Sequence, residues 1–202
     1  MSAPIQVLAL APGHEGAFAA LFDASACTCF CRFWHFEGNK NAWLSRAVED
    51  PRRNRDEHEA LLLAADPRAG GLLAFDGELA IGWMKLTARA LVPKLRRLPV
   101  YRALDLGEDD GIWSVGCFLV RPSHRGTGVT RALLAAAEAH VLASGGSAIE
   151  AYPRRSSEPM HPEEAWMGPE SVFVRAGFTP VGGGEAWAAP YPVLRKVLRV
   201  QR

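Results

Sequence analysis

The sequence has few cysteines, no excess of charge and no long apolar run, and each shortage excludes a class of protein. Four cysteines in 202 residues are too few for a disulfide-rich scaffold, and Cys27, Cys29 and Cys31 lie too close together for ordinary bridging. The net charge of +1 predicts neither a nucleic-acid partner nor an anionic membrane. No apolar segment approaches the ~20 residues of a membrane helix. The first residues lack a basic leader and a signal-length apolar run, so we expect a cytoplasmic protein without a secretory signal.

Two common nucleotide-binding motifs are also missing. The chain contains no G-x-x-x-x-G-K-[ST] string, which excludes a Walker A loop. The dinucleotide fingerprint G-x-G-x-x-[GA] matches at Gly126 and Gly128 but fails at its last position, which is Arg131. A nucleotide-dependent dehydrogenase therefore stays open only as a minor alternative.

The order of apolar runs and turn residues predicts one domain, 1–202, of the α/β class with a mixed sheet. Residues 14–48 have a helical pattern, residues 49–59 are polar and turn-rich, and residues 71–86 form a hairpin around Asp76-Gly77. A strand-helix-strand unit over 112–153 implies one parallel crossover. The remaining expected elements are an opening strand at 5–10, a short helix near 169–176 and a final strand at 191–200.

The stretch HRGTGVTRALL, residues 124–134, carries the clearest chemistry. Arg125 precedes two glycines that lie one residue apart, and a helix begins directly after them. Glycines at such a position let an anion approach the backbone, and the free N–H groups and dipole of a helix start attract phosphate. A simple strain-relieving turn is the bland alternative. The central strand before the loop favours a phosphate site.

With its flanking strand this loop, FLVRPSHRGTGVTRALL, resembles the pyrophosphate motif R-x-x-G-x-[GA] of the GNAT acetyltransferase superfamily. Arg125 and Gly128 match the motif, and Thr130 replaces its last small residue. The segment ESVFVRAGFTPV, residues 170–181, resembles a later element of the same superfamily. Within it the chain is similar to a bacterial subgroup, through the segments CFCRFWH, EGNKNA, IGW, WSVGCFLV and EAYP. The resemblance covers most of residues 71–200.

The resemblance implies acetyl-CoA as cosubstrate, an amine of a small molecule or peptide as acceptor, and N-acetyl transfer as the reaction. The pantetheine would run beside β-strand residues and pair with their backbone, and a backbone N–H there would polarise the thioester carbonyl. Dimers are common in the superfamily, so a homodimer is the assembly that it allows. The implied cofactor-binding residues are Phe118, Leu119, Val120, Arg125, Gly126, Thr127, Gly128, Val129 and Thr130.

The acid–base residues are less clear. Many members of the superfamily carry a tyrosine four residues before the Gly-Phe pair, but this chain has Phe173, which cannot donate a proton. Glu150, Tyr152 and Ser114 are the candidate catalytic residues, with Glu150 as base directly or through water. A water relay without an essential side chain is the alternative. Phe173 also keeps open a non-catalytic acyl-CoA-binding sensor or regulator.

The segment CTCFCRFWH, residues 27–35, permits three interpretations. On a helix Cys27, Cys31 and His35 would lie on one face, but positions i and i+8 are about 12 Å apart, too far for one zinc ion, so no metal site is predicted. Burial in the core is the commonest fate of cysteine. The third interpretation follows from the resemblance, since residues 14–66 would form the acceptor side. The candidate substrate-binding residues are Cys29, Cys31, Trp34 and Trp113.

Overall fold

The computed structural model of the protein describes residues 4–102, 104–158, 160–161, 164–182 and 190–198, with only the backbone at residues 99 and 100. The described residues form a single-domain seven-stranded sheet in the order β1-β2-β3-β4-β5-β7-β6. Neighbouring strands are antiparallel except β4 and β5, which are parallel, so the predicted mixed sheet with one crossover is confirmed. The strands are β1 (Gln6–Ala9), β2 (Gly71–Asp76), β3 (Leu79–Ala88), β4 (Ile112–Val120), β5 (Ala148–Ala151), β6 (Thr179–Pro180) and β7 (Leu194–Val197).

Helices cover both faces of the sheet. One face packs on α6 and α7 around Val115, Leu133 and Phe173. The other packs on α1 around Leu21 and Trp83. No helix within the described ranges is both long and apolar enough to cross a membrane. The α-helices are α1 (Glu15–Ala24), α2 (Lys40–Glu49), α3 (Pro51–Leu63), α4 (Pro93–Arg97), α5 (Pro99–Arg102), α6 (Val129–Ala143) and α7 (Glu170–Arg175).

The helical region before the hairpin differs from the prediction in two places. Residues 25–32 form a loop and not a helix, and Ala26, Phe30 and Cys31 adopt positive φ angles of 49°, 43° and 51°. Although residues 49–59 are predicted to be polar and turn-rich, residues 51–63 form α3. Its buried face consists of Asn54, His58 and Leu62, so two of the three inward positions are polar and give no apolar period.

The last strand is shorter than predicted. Residues 191–200 were expected to be extended, but β7 covers only Leu194–Val197. Residues 199 and 200 lie outside the described residues. The β7 strand pairs with β5 on one side and with the two-residue β6 on the other. The β7 and β6 strands therefore extend the sheet beyond the parallel β4–β5 pair.

The middle of the sheet contains a β-bulge in β4 and the point at which β4 and β5 stop pairing. Lys85 pairs with Cys117 and the next residue of β3 pairs with Val115, so Gly116 is an extra residue in β4. The pairing of β4 with β5 ends at Val115, although β4 runs on to Val120. The second half of β4 therefore has an open edge within the part of the sheet that the structure describes.

Candidate active site

The loop between β4 and α6 exposes backbone N–H groups at the start of a fifteen-residue helix. Gly126 and Gly128 have φ angles of +77° and +93°, which residues with a side chain rarely adopt. A Cβ added at Gly126 would meet no atom within 4 Å, and one added at Gly128 would meet only the Arg131 guanidinium, at 3.5 Å. The first N–H groups of α6 have no helical acceptor and lie at the positive end of its dipole. The loop is thus shaped to hold an anion.

A cavity of about 950 Å³ opens at this loop, between α6 and α7. Four cationic side chains line it, and among its described lining residues the one carboxylate is Glu138, which is paired with a lysine of the same cavity. The balance of charge suits a ligand with several phosphate groups. The four cations are Arg125, Arg131, Arg175 and Lys196. The sequence pointed to Arg125 alone, because the other three come together only in the fold.

The open edge of β4 points its own hydrogen-bonding groups toward the same space. The N–H of Arg121 donates to β3, so by strand alternation the N–H groups of Phe118 and Val120 face away from β3, into the opening. The Phe118 N–H donates to the carbonyl of Trp166 at 2.7 Å. Leu119 turns its backbone toward β3, and only its side chain reaches the site.

A second cavity, of about 410 Å³, lies at the other end of the open edge. Its lining includes Cys29, Cys31 and Trp34, three of the four residues predicted to bind the acceptor, together with Leu119 of β4. Arg125 lines both cavities, so the two adjoin. The other described lining residues are Phe22, Ser25, Ala26, Cys27, Phe33, Trp43, Cys117, Phe118 and Trp166.

Trp34 is fixed against the bulge of β4. Its Nε1–H donates to the carbonyl oxygen of Gly116 at 2.9 Å, and its side chain is 3% exposed. A Cβ at position 116 would lie 3.0 Å from Trp34 Cδ1 and 2.9 Å from Lys85 Cγ. Glycine at the bulge therefore lets the indole lie directly on the strand. The wall of the second cavity is held rigidly to β4 by this contact.

A disulfide also ties this cavity to β4. Cys31 of the 25–32 loop is bonded to Cys117, which lies 86 residues later in the chain, and the Trp83 Nε1–H donates to Cys31 Sγ at 3.1 Å. The sulfur atoms of Cys27 and Cys29 are 3.4 Å apart, and this contact together with burial raises the pKa of Cys29. The sequence did not indicate the bridge because its partner lies outside the cysteine cluster. No group of metal-binding side chains occurs within the described ranges.

Trp113 lies elsewhere. It packs edge-on against His140 of α6, with ring centroids 5.5 Å apart, and does not line the second cavity. In a regular strand Trp113 would share a face with Cys117 and Leu119. The extra residue at Gly116 reverses the alternation, so the two halves of β4 present odd-numbered side chains to opposite faces. The prediction that Trp113 binds the acceptor therefore has no support in its position.

The three candidate catalytic residues meet in one buried network. Tyr152 donates from its hydroxyl to Glu150 Oε2 at 2.8 Å, and its oxygen lies 3.1 Å from Ser114 Oγ. Burial, and next the Glu150 carboxylate, raise the pKa of Tyr152 well above its usual value. Arg89 and Arg195 bind the same carboxylate, with Arg89 Nη1 at 2.9 Å from Oε1 and Arg195 Nε at 2.8 Å. Glu150 has no exposed surface, so it has no direct contact with either cavity.

Tyr152 and Ser114 nevertheless reach toward the bulge. With Trp34 and Gly116 they line a void of about 10 Å³, close to the space that one water molecule needs. The tyrosine position of the superfamily, Phe173, is fully buried and packs edge-on against Phe178 at 5.3 Å. Phenylalanine supplies no proton donor at that position, whereas the void brings the Ser114 and Tyr152 side chains beside Gly116 of β4.

The comparisons with known proteins agree with this architecture. The model of the Acetyltransferase (GNAT) family matches residues 34–163, more than half of the chain. No curated protein shows significant sequence similarity to the chain.

Several solved structures share the fold. The PaiA N-acetyltransferase of Thermoplasma acidophilum, solved with coenzyme A, is 12% identical with a TM-score of 0.55, over 96% of this chain and 99% of that one. A GNAT-family protein of Desulfovibrio desulfuricans is 15% identical with a TM-score of 0.53, over 96% and 99%. YncA of Salmonella typhimurium, solved with acetyl-CoA, is 14% identical with a TM-score of 0.53, over 98% and 95%. At these identities the likeness is one of fold.

Proposed function

Because this chain belongs to the acetyltransferase (GNAT) family, we propose that it transfers the acetyl group of acetyl-CoA to a primary amine of a small molecule or peptide. One observation carries the proposal: the anion-binding loop and its basic cavity continue along the open edge of β4 into a second, apolar cavity. A cosubstrate with phosphates at one end and a reactive group at the other fits this path. An acceptor in the second cavity would meet the reactive end.

On the cofactor side, the N–H groups of residues 126–130 would bind the pyrophosphate, and Thr127 and Thr130 lie within that stretch. Arg125 adds a charge that both cavities share. The pantetheine amides would pair with the open edge of β4 at the N–H of Val120 and the carbonyl oxygen of Phe118. Since the Phe118 N–H is bound to the Trp166 carbonyl, we expect this carbonyl to move aside when the cosubstrate enters. The released N–H could then polarise the thioester carbonyl.

In the reaction the amine nitrogen attacks the thioester carbon, a C–N bond forms and the C–S bond breaks. The amine loses one proton and the departing thiolate gains one, so charge and atoms balance without a further reagent. An apolar cavity favours the neutral, nucleophilic amine over its ammonium form. The apolar surroundings of the acceptor thereby raise the fraction of neutral amine and reduce the need for a general base.

For the proton transfer we assign Tyr152 as the hydroxyl that serves the leaving group through a water in the void. Ser114 and Glu150 are positioning residues in this scheme, because each holds the Tyr152 hydroxyl. The Tyr152→Phe variant should lower kcat by about 100-fold, the lower limit usual for a lost acid, with acetyl-CoA affinity unchanged within about twofold. Tyr101→Phe is a matched control, since Tyr101 is a buried neighbour with its ring 5.3 Å away. Full kcat in Tyr152→Phe would remove Tyr152 from the mechanism.

Glu150→Gln gives a complementary test. Glutamine keeps the size of the side chain and removes the charge that binds two arginines, so the variant should alter the pH profile of kcat as well as stability. Full turnover with an unchanged pH profile would leave Glu150 without a chemical role.

Three coarser expectations belong to the same proposal. Residues 1–202 act as one domain in which residues 14–66 supply the acceptor side, and the second cavity draws on that region. The cytoplasm is the proposed compartment, since acetyl-CoA is present there, and a homodimer is the proposed assembly. Size-exclusion chromatography with light scattering would test the assembly.

The function itself is tested by binding and turnover together. Thermal stability should rise with acetyl-CoA and with CoA but not with NAD or ATP, and at 100 times its dissociation constant a ligand adds about 2.7 kcal/mol. Product formation from a broad amine panel, measured by mass spectrometry, should follow. Binding without turnover on any amine would instead favour the acyl-CoA sensor, and a shift with NAD alone would favour the dehydrogenase.

A further inference from the structure

The second cavity is unusual in what surrounds it. Its outer wall is a cluster of rings in which Phe33 contacts three indoles: Trp34 at 5.2 Å, Trp43 at 5.6 Å and Trp166 at 5.9 Å between centroids. All three contacts are edge-to-face, with interplanar angles between 67° and 84°. This is the geometry that aromatic groups prefer, and one more ring could join it.

The charges around the cavity have one sign. Among its described lining residues Arg125 is the one charged side chain, and no carboxylate lines it. Just outside, the Lys94 ammonium lies 4.2 Å from the centre of the Phe33 ring and donates to the carbonyls of Phe33 and Phe36. The Glu57 carboxylate of α3 is held by Arg32 and Arg46. A second ammonium on the acceptor would find no carboxylate among the described lining residues and would be repelled by Arg125 and Lys94.

An acceptor with a carboxylate is disfavoured for a different reason. The one lining cation, Arg125, also lines the cofactor cavity, where phosphates would compete for it. The remaining described walls are rings, aliphatic groups and sulfur, and burying an unpaired carboxylate against them is costly. Volume adds a limit, because about 410 Å³ is near the lower end of small-molecule sites.

We propose that the acceptor is an aromatic primary monoamine without a carboxylate, its ring packed against Phe33, Trp43 and Trp166 and its nitrogen directed toward the middle of β4. This inference rests on the proposed acetyl transfer and specifies its substrate class. The positive charges and the apolar walls together favour the neutral nitrogen that the reaction requires. The cavity thus favours acceptors that carry an aromatic ring and disfavours acceptors that carry a further charged group.

A panel of matched amines tests the class. Phenethylamine and tryptamine should be acetylated with kcat/KM at least about tenfold above phenylalanine, which adds a carboxylate to the first, and above putrescine, which replaces the ring with a second amine. The acetylated product is measured by mass spectrometry. Thiol reagents that detect released CoA would also react with the cysteines of the protein. If putrescine or phenylalanine is the best substrate, this inference fails and acetyl transfer stands. If no amine is acetylated, both fail.

A charge placed in the cavity sharpens the test. Trp43 is half-buried on α2, a helix without fully buried residues, so its replacement should not unfold the protein. Trp43→Glu should lower kcat/KM for phenethylamine by about tenfold and raise it for putrescine, whereas Trp43→Phe should keep the wild-type order. Leu44→Glu is the matched control, because Leu44 is the next residue of the helix, 50% exposed and outside the cavity lining. Equal effects of Trp43→Glu and Leu44→Glu would overturn the proposal.

Discussion

The two cavities that meet at the open edge of β4 are built from different materials. The cofactor-side cavity, at the glycine loop, combines backbone N–H groups and four cations with aliphatic side chains of β4, α6 and α7, and its proposed phosphate site occupies five consecutive residues, 126–130. The acceptor-side cavity is made of rings and sulfur from four separate stretches of chain: residues 22–34, α2, β4 and the segment before α7. The first can be recognised in a short motif. The second exists only once the chain has folded.

The difference extends to what holds each cavity in place. The glycine loop is fixed by a strand on one side and by the longest described helix on the other. The 25–32 loop has no regular structure and depends on the Cys31–Cys117 disulfide and on the Trp34 contact with Gly116. We therefore expect perturbations to separate the two sites, with the acceptor side failing first.

The largest effect should come from breaking the Cys31–Cys117 disulfide, measured in protein that is kept oxidised, because a reducing cytoplasm would leave the two thiols free. For two cysteines 86 residues apart, the loop-entropy account gives about 4–5 kcal/mol of stability. Cys31→Ser should lose most of this in urea unfolding and should raise KM for the acceptor severalfold, with the Kd for acetyl-CoA unchanged. Thr28→Ser is the control in the same loop, because Thr28 is exposed and does not line the second cavity. An equal loss of affinity for both ligands in Cys31→Ser would show that the two sites do not separate.

Mild acid should destabilise the protein through two histidines of the acceptor-side region, residues 14–66. Burial, with smaller contributions from Lys85 and Arg32, lowers the pKa of both His35 and His58 from 6.5 to about 3. The unfolded chain binds protons at these histidines below pH ~6.5 and the folded chain does not, so stability is complete above that pH and falls as the pH drops toward ~3. Each histidine then costs up to about 1.4 kcal/mol per pH unit.

The measurement is urea unfolding between pH 7 and pH 5, because the slope against pH reports the difference in bound protons. A His35→Gln/His58→Gln double variant should lose less stability over this interval than the wild type. If the double variant follows the same slope as the wild type, these histidines are not the origin of the acid sensitivity.

The smallest effect should come from the residue that the two cavities share. Arg125 is exposed, so its charge is screened, and Arg125→Gln should weaken acetyl-CoA binding by about fivefold, or ~1 kcal/mol, less so at high salt. Arg55→Gln makes the same change of charge at a surface pair with Asp23 and should have no effect. If Arg125→Gln changed only the KM for the acceptor, Arg125 would be assigned to acceptor binding and not to cofactor binding.

The sequence predicted the elements around the glycine loop well because their signals are local. The hairpin turn at Gly77, the continuous apolar run of β4 and the helix start after Gly128 each depend on a few neighbouring residues. The family resemblance rested on the same stretch. Arg175 and Lys196 escaped notice because single cations on a short helix and a four-residue strand carry no pattern.

The acceptor side was predicted less well because its determinants are distant in sequence. The loop at 25–32 has a helical apolar spacing but ends in residues with positive φ, and its bridge to Cys117 was not foreseen. The bulge at Gly116 moved Trp113 to the opposite face. A glycine inside a strand often marks a bulge, so Gly116 carried a signal that the prediction for Trp113 left out. Cys29, Cys31 and Trp34 were correctly grouped, since a short segment keeps its residues together.

The central claim is that the glycine loop binds the phosphates of acetyl-CoA, and isothermal titration of one matched pair of variants tests it most directly. Gly128→Glu places a carboxylate at the mouth of the basic cavity, at a φ of +93°. Gly13→Glu repeats the change at a φ of +99°, at a turn where an added Cβ meets no atom within 4 Å. We predict that Gly13→Glu binds acetyl-CoA like the wild type and that Gly128→Glu binds it at least about 100-fold more weakly, about 2.7 kcal/mol. Wild-type affinity in Gly128→Glu would contradict the account.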